Sequence, residues 1–107
     1  MALVTLEEAK VALRVDSADE DDFINSLLDS GEKYCADVAR LSDEAWAEII
    51  AEPTEGDTRE LKGKRAALHD ALLYYVSYRF EHREEADMSG MALDLRSLLC
   101  FVREGVF

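Results

Sequence analysis

Between residues 58 and 84 the chain carries apolar side chains on two helical stripes at once, and no other feature limits its architecture as much. Leu61, Leu68, Leu72, Tyr75 and Arg79 share one stripe, and Ala67, Ala71, Tyr74 and Tyr78 form a second beside it. A surface helix needs one apolar stripe, whereas a helix with two is contacted on more than one side. The segment from about Thr58 to Glu84 is therefore predicted as the longest helix and the centre of the fold.

The rest of the chain supplies helices to pack around it. Ala, Leu, Glu, Lys and Arg make up about half of the 107 residues, against 5 Gly and 1 Pro, a balance that favours an all-α chain over a sandwich rich in turns. Thr5 and Glu8 have the spacing of a capping box, and Leu6, Ala9 and Leu13 share a face, which predicts a first helix from about Leu6 to Leu13. Ser17 and Glu20 repeat the box, with Asp19, Asp21 and Asp22 in the first turn, where negative charge suits the helix dipole. Phe23, Leu27, Tyr34 and Val38, flanked by Ile24, Leu28, Gly31 and Cys35, extend that second helix to about Arg40. Ser42 caps a short third helix, Asp43 to about Ala51, with Trp46, Ile49 and Ile50 on its apolar side. Residues 52–57 hold the only proline, a glycine and three acids, and read as a mobile surface loop. Asp87-Met88-Ser89-Gly90 breaks the pattern again, and Leu95, Leu98, Leu99 and Val102 define a last helix ending near Arg103. The expected architecture is a compact all-α bundle of about five helices, with residues 1–107 forming one domain.

Charge narrows the function. Twelve basic and 24 acidic residues give a net charge of −12. A protein whose main partner is nucleic acid neutralises phosphates with cations, so that class is disfavoured. With 49% hydrophobic residues the chain also has too much to bury for a disordered protein. Its longest apolar run, Ala71 to Val76, is too short to span a bilayer, and no basic region precedes an apolar stretch near the start, so a cytosolic setting is expected. Cys35 and Cys100 are too few for a disulfide framework or a zinc site, and are expected as buried, reduced thiols.

Catalytic signatures fail in turn. There is no Gly-rich phosphate loop, no G-x-S-x-G, no H-E-x-x-H and no Glu-x-x-His pair. His69 and His82, 13 residues apart on one helix, are separated by roughly 20 Å, too far to share a metal. Asp16, Asp19, Asp21 and Asp22 lack the alternating positions, turn glycine and distal Glu of a calcium loop, and read as helix-start acidity. Tyr74, Tyr75, Tyr78 and Phe80 read as part core and part recognition surface, since Tyr joins apolar area to a polar tip. Arg79, Arg83, Arg96 and Arg103 either pair with the nearby Glu81, Glu84 and Glu85 or meet the acidic second helix of a neighbouring copy. No enzyme, cofactor or metal is expected.

The layout resembles the head-tail connector proteins of tailed phages, small all-α adaptors also described as DNA-packaging proteins. The matching stretches are Leu6 to Asp16, with its Leu13-Arg14-Val15-Asp16 step, the acids from Asp19 to Asp22, and Tyr34. Phe80-Glu81-His82-Arg83-Glu84 and Leu98-Leu99-Cys100-Phe101-Val102-Arg103 match the family's long-helix closure and double-Leu tail. The chain lacks the family's usual prolines near the start of the long helix and in that tail. The resemblance implies a non-enzymatic virion protein, made in the bacterial host cytoplasm and placed at the head-tail junction. It would form a ring of about a dozen copies, bind the portal and a downstream tail or stopper protein, and let DNA pass as cargo without specific contact. The candidate interface residues are Tyr74, Tyr78, Arg79, Arg83, Glu84, Arg96 and Arg103, with Asp19, Asp21 and Asp22 as their acidic counterparts. Carboxylates lining the bore would repel DNA phosphates. The competing reading is an acidic regulator or DNA mimic that fills the cleft of a basic protein.

Overall fold

The computed structural model describes residues 2–100, and their order is five helices: α1 (Leu6–Leu13), α2 (Asp21–Val38), α3 (Asp43–Ile50), α4 (Arg59–Glu81) and α5 (Met88–Leu98). No strand occurs among the described residues, and the protein is an all-α bundle. α4 packs against all four other helices, and α2 is its principal partner.

The α2–α4 seam is the core. Ile24, Leu27, Leu28, Gly31 and Cys35 from α2 are buried against Leu68, Ala71, Leu72, Tyr75 and Val76 from α4. Fully burying one such aliphatic side chain contributes about 1.5–3 kcal/mol, so this seam outweighs any surface pair in the molecule. Gly31 lets the helices approach closely: a Cβ there would lie 2.5 Å from Leu72 Cδ1 and 2.7 Å from Tyr75 Cδ1. The Tyr75 hydroxyl stays satisfied inside, 3.1 Å from Ser30 Oγ and accepting from Arg79 Nη1 at 2.7 Å. Leu3, Val4, Ala9, Ile49, Met91, Leu95 and Leu99 close the core from the remaining elements.

Most helix starts follow local capping chemistry. The Thr5 hydroxyl accepts from Glu8 N, and the Glu8 carboxylate accepts from Thr5 N, both at 3.1 Å. The Ser42 and Thr58 hydroxyls accept from Ala45 N and Leu61 N in the same way. The second predicted box does not form. Residues 17–20 form a turn and α2 starts only at Asp21, so Ser17 is not its cap; Glu20 makes no side-chain cap, and its carboxylate accepts from Arg83 Nη1 at 3.2 Å. Asp19 therefore precedes the helix, leaving Asp21 and Asp22 in its first turn. At the other end of the chain, Asp87 to Gly90 is a helix start: Asp87 caps α5 by accepting from Gly90 N at 3.0 Å. A Cβ at Gly90 would sit 2.5 Å from Asp87 Oδ2, so the glycine that looked like a breaker makes room for the cap.

Two helices stop on arginines in the left-handed region, Arg14 at φ 59° and Arg40 at φ 57°. In each, the next residue's N–H reaches back five positions, Val15 to Lys10 O at 2.9 Å and Leu41 to Ala36 O at 3.1 Å. This is a Schellman-type stop with its apolar follower. α2 consequently ends at Val38, just short of Arg40, while α3 ends at Ile50, where Ala51 turns extended. α4 ends at Glu81 instead of Glu84, with His82 as its cap. α5 ends at Leu98, earlier than predicted; Val102 and Arg103 lie outside the described residues.

Arg65 organises the segment read as a mobile loop. Its guanidinium donates to Ile49 O at 2.8 Å, Ala51 O at 3.1 Å, Glu48 O at 3.3 Å and Asp57 Oδ2 at 2.5 Å. The orphan carbonyls at the end of α3 thus meet a cation, which also suits the negative end of that helix. Asp57 in turn accepts from Thr54 N and Thr54 Oγ1. The Arg65 hydrogen bond, followed by the one from Thr54 N, holds the Asp57 carboxyl below the usual carboxylate range. The two thiols separate: Cys35 is buried and Cys100 is exposed, because the residue after Leu99 faces away from the core. Burial, then the Glu32 carboxylate, pushes the Cys35 thiol up to about 12, leaving it inert.

Candidate assembly surface

α4 presents different chemistry on its two flanks. Towards α1, His69 Nε2 lies 2.9 Å from Glu8 Oε2 and His69 Nδ1 lies 3.5 Å from Asp70 Oδ1. The Glu8 hydrogen bond raises the His69 pKa and lowers that of Glu8. Beyond this pair Val11, Ala12 and half-buried Leu73, with Glu7 and Glu8, line a shallow, open apolar hollow. Val11 is 78% exposed.

Towards α5, the Tyr74 hydroxyl donates to Asp94 Oδ2 at 2.5 Å, and the Tyr78 hydroxyl accepts from Asp87 N at 2.9 Å. The Asp94 carboxylate pushes the Tyr74 phenol up to about 12. Positions 69 and 74 are separated by roughly 140° around an α-helix, so α1 and α5 occupy different sides of α4. The outer face of α5 carries Leu93, 62% exposed, and Arg96, also exposed.

The C-terminal end of α4 gathers arginines and aromatic rings. Arg83 lies over Phe80 at 4.3 Å and Phe23 at 4.8 Å while pairing with Glu20, so it ties the end of α4 to the start of α2. Such cation–π contacts contribute on the order of 0.5–1 kcal/mol at exposed sites. Arg79 lies 5.5 Å from the Tyr75 ring centroid and donates to its hydroxyl. Tyr78 stacks on His82 at 4.2 Å and on Tyr74 at 6.1 Å.

The predicted interface residues are therefore dispersed. Tyr74, Tyr78, Arg79 and Arg83 meet partners inside the protomer, although all but Arg83, which is exposed, are only half-buried. Among the aromatic side chains from 74 to 80, Tyr75 alone is fully buried. Asp21 pairs with Lys10 at 2.8 Å and fastens α2 to α1, whereas Asp19, Asp22, Glu84 and Arg96 are exposed. Arg103 lies outside the described residues. Sequence reading missed Arg65, whose α3 partners are main-chain carbonyls that leave no motif. It also missed Val11 and Leu93, which became visible as surface features only once their helices were oriented.

Among the described residues, no three His, Cys, Asp or Glu side chains gather as a metal site, and no helix is long and apolar enough to cross a membrane. The described surface of this small helical bundle carries an apolar hollow beside α1, exposed acids, and exposed Leu93 and Arg96 on α5. A family model described as phage gp6-like head-tail connector protein matches residues 3–98, and the chain belongs to that family of structural phage proteins joining head and tail. No curated protein and no solved structure matches it.

Proposed function

We propose that this chain is a non-enzymatic ring subunit at the head-tail junction of a virion, docking on the portal and offering its other face to a tail or stopper protein. The family match over residues 3–98 is the observation that carries this reading. The bundle supports it physically. A ring is closed by a heterologous interface, in which each copy needs two unlike patches. An acid-rimmed apolar hollow beside α1 and an arginine-bearing apolar face on α5 are unlike, and they lie on different sides of α4.

Exposed Asp19, Asp22, Glu84 and Arg96 are the candidate residues still available to a neighbour, whereas Arg83 is engaged by Glu20, Phe23 and Phe80. With a net charge of −12 the copies repel each other, so cationic contacts set the register of assembly and the remaining carboxylates face the DNA path. The test is sedimentation and electron microscopy of the full chain, alone and with the portal of the same phage. Annuli that bind the portal are expected. Persistent monomers that ignore the portal and instead capture a basic DNA-binding protein would mean that the acidic-mimic reading is right.

A further inference from the structure

We propose that the α1 hollow of one copy receives the outer face of α5 from the next copy, with Leu93 as the knob and Arg96 as the cation meeting the acidic rim. The inference rests on the ring reading and specifies its subunit contact. Val11 and Leu93 are the two most exposed large hydrophobic side chains among the described residues, at 78% and 62%. They stand on different sides of α4, and neither is covered within the protomer.

The two faces are complementary. The hollow is lined by Val11, Ala12 and Leu73 together with the acidic residues Glu7 and Glu8. On α5, Leu93 and Arg96 are three residues apart and share a face. An apolar side chain entering the hollow brings a guanidinium to the level of two carboxylates. Glu8 is held in place by His69 at 2.9 Å, while Glu7 has no partner among the described residues. Arg96 likewise has none, which sets it apart from Arg65, Arg79 and Arg83. Because the donor and acceptor faces differ, the contact is heterologous and repeats from copy to copy. In a protein this acidic, pairing the one exposed cation of α5 with the α1 rim also removes like-charge repulsion where the copies come closest.

Cross-linking distinguishes this contact from any other. Val11→Cys and Leu93→Cys are placed singly in full chains that also carry Cys100→Ser; Cys35 is buried and unreactive. With a short bismaleimide, an equimolar mixture should give a covalent dimer containing one copy of each variant. Either variant alone should give no more than background, and the double variant should give a ladder. Arg96→Glu should raise the concentration needed for assembly about tenfold, and Glu7→Arg in the same chain should restore it. Efficient Val11→Cys homodimers would overturn the proposal, and so would rings of the Cys100→Ser chain whose mixed variants fail to cross-link. In both cases the ring reading itself survives. A Cys100→Ser chain that stays monomeric at every concentration, with and without portal, removes the ring reading and this contact together.

Discussion

The α2–α4 seam and the α1 and α5 flanks follow opposite rules. In the seam the facing aliphatic side chains and Tyr75 are buried, with Phe23 and Tyr34 half-buried beside them; the one buried hydroxyl has two partners, and a glycine sets the helix separation. On the flanks, Val11 and Leu93 stand in solvent, and the polar links are half-exposed pairs such as Glu8–His69 and Tyr74–Asp94. The difference teaches where stability and specificity reside. Buried area sets the first, and it is concentrated in one contact. The flanks bury little and contribute little to folding, so in the proposed assembly they are free to be shaped by a neighbouring copy.

Four variants break or sharpen that contrast. Leu72→Ala empties a fully buried position in the seam and should cost about 2–5 kcal/mol in denaturant unfolding, without a change of fold class. Arg65→Met strips hydrogen bonds from the α3 carbonyls and Asp57, and should cost about 2–3 kcal/mol while exposing residues 52–57 to hydrogen exchange. An unchanged exchange pattern would mean that the loop is held by something other than Arg65.

Gly31→Ala adds one methyl where a Cβ meets Leu72 at 2.5 Å. The helix-propensity gain of roughly 0.5–1 kcal/mol opposes an overpacking cost of about 1–3 kcal/mol, so the net result should be a modest loss of stability. A gain would show that the seam yields easily.

The smallest effect lies on a flank. The His69 pKa is raised in the folded state, so its contribution is complete below its unfolded value and fades as pH rises through the folded one. The Glu8 pKa is lowered, so its contribution is present above its unfolded value and fades as pH falls through the folded one. The pair therefore acts most strongly between the two unfolded values of 4.5 and 6.5. His69→Gln should lower Tm most near the middle of that window, by an amount worth less than about 1 kcal/mol after solvent screening. A difference that grows towards alkaline pH would mean that His69 matters for reasons other than its charge.

Much of this organisation is legible along the chain. The two stripes on residues 58 to 84 announce a helix buried from several sides, and α4 contacts all four others. Thr5, Ser42 and Thr58 declare helix starts because a cap depends on residues three positions apart, a distance that sequence contains. The Leu13-Arg14-Val15-Asp16 step, a family hallmark by resemblance, is in structural terms a left-handed helix stop. The candidate surface was less legible. Sequence offers Arg83 the nearby glutamates or the acidic second helix of a neighbouring copy, yet its partner is Glu20, 63 residues away at the start of its own α2.

Sequence alone determined the helices, their apolar faces and most of their ends, because periodicity and capping act over three to five residues. Tertiary structure decided which charged side chains are spent inside the protomer and which apolar ones are left outside. Those outcomes depend on how far one helix lies from another, and that distance is set by packing at positions such as Gly31, with no local pattern to announce it.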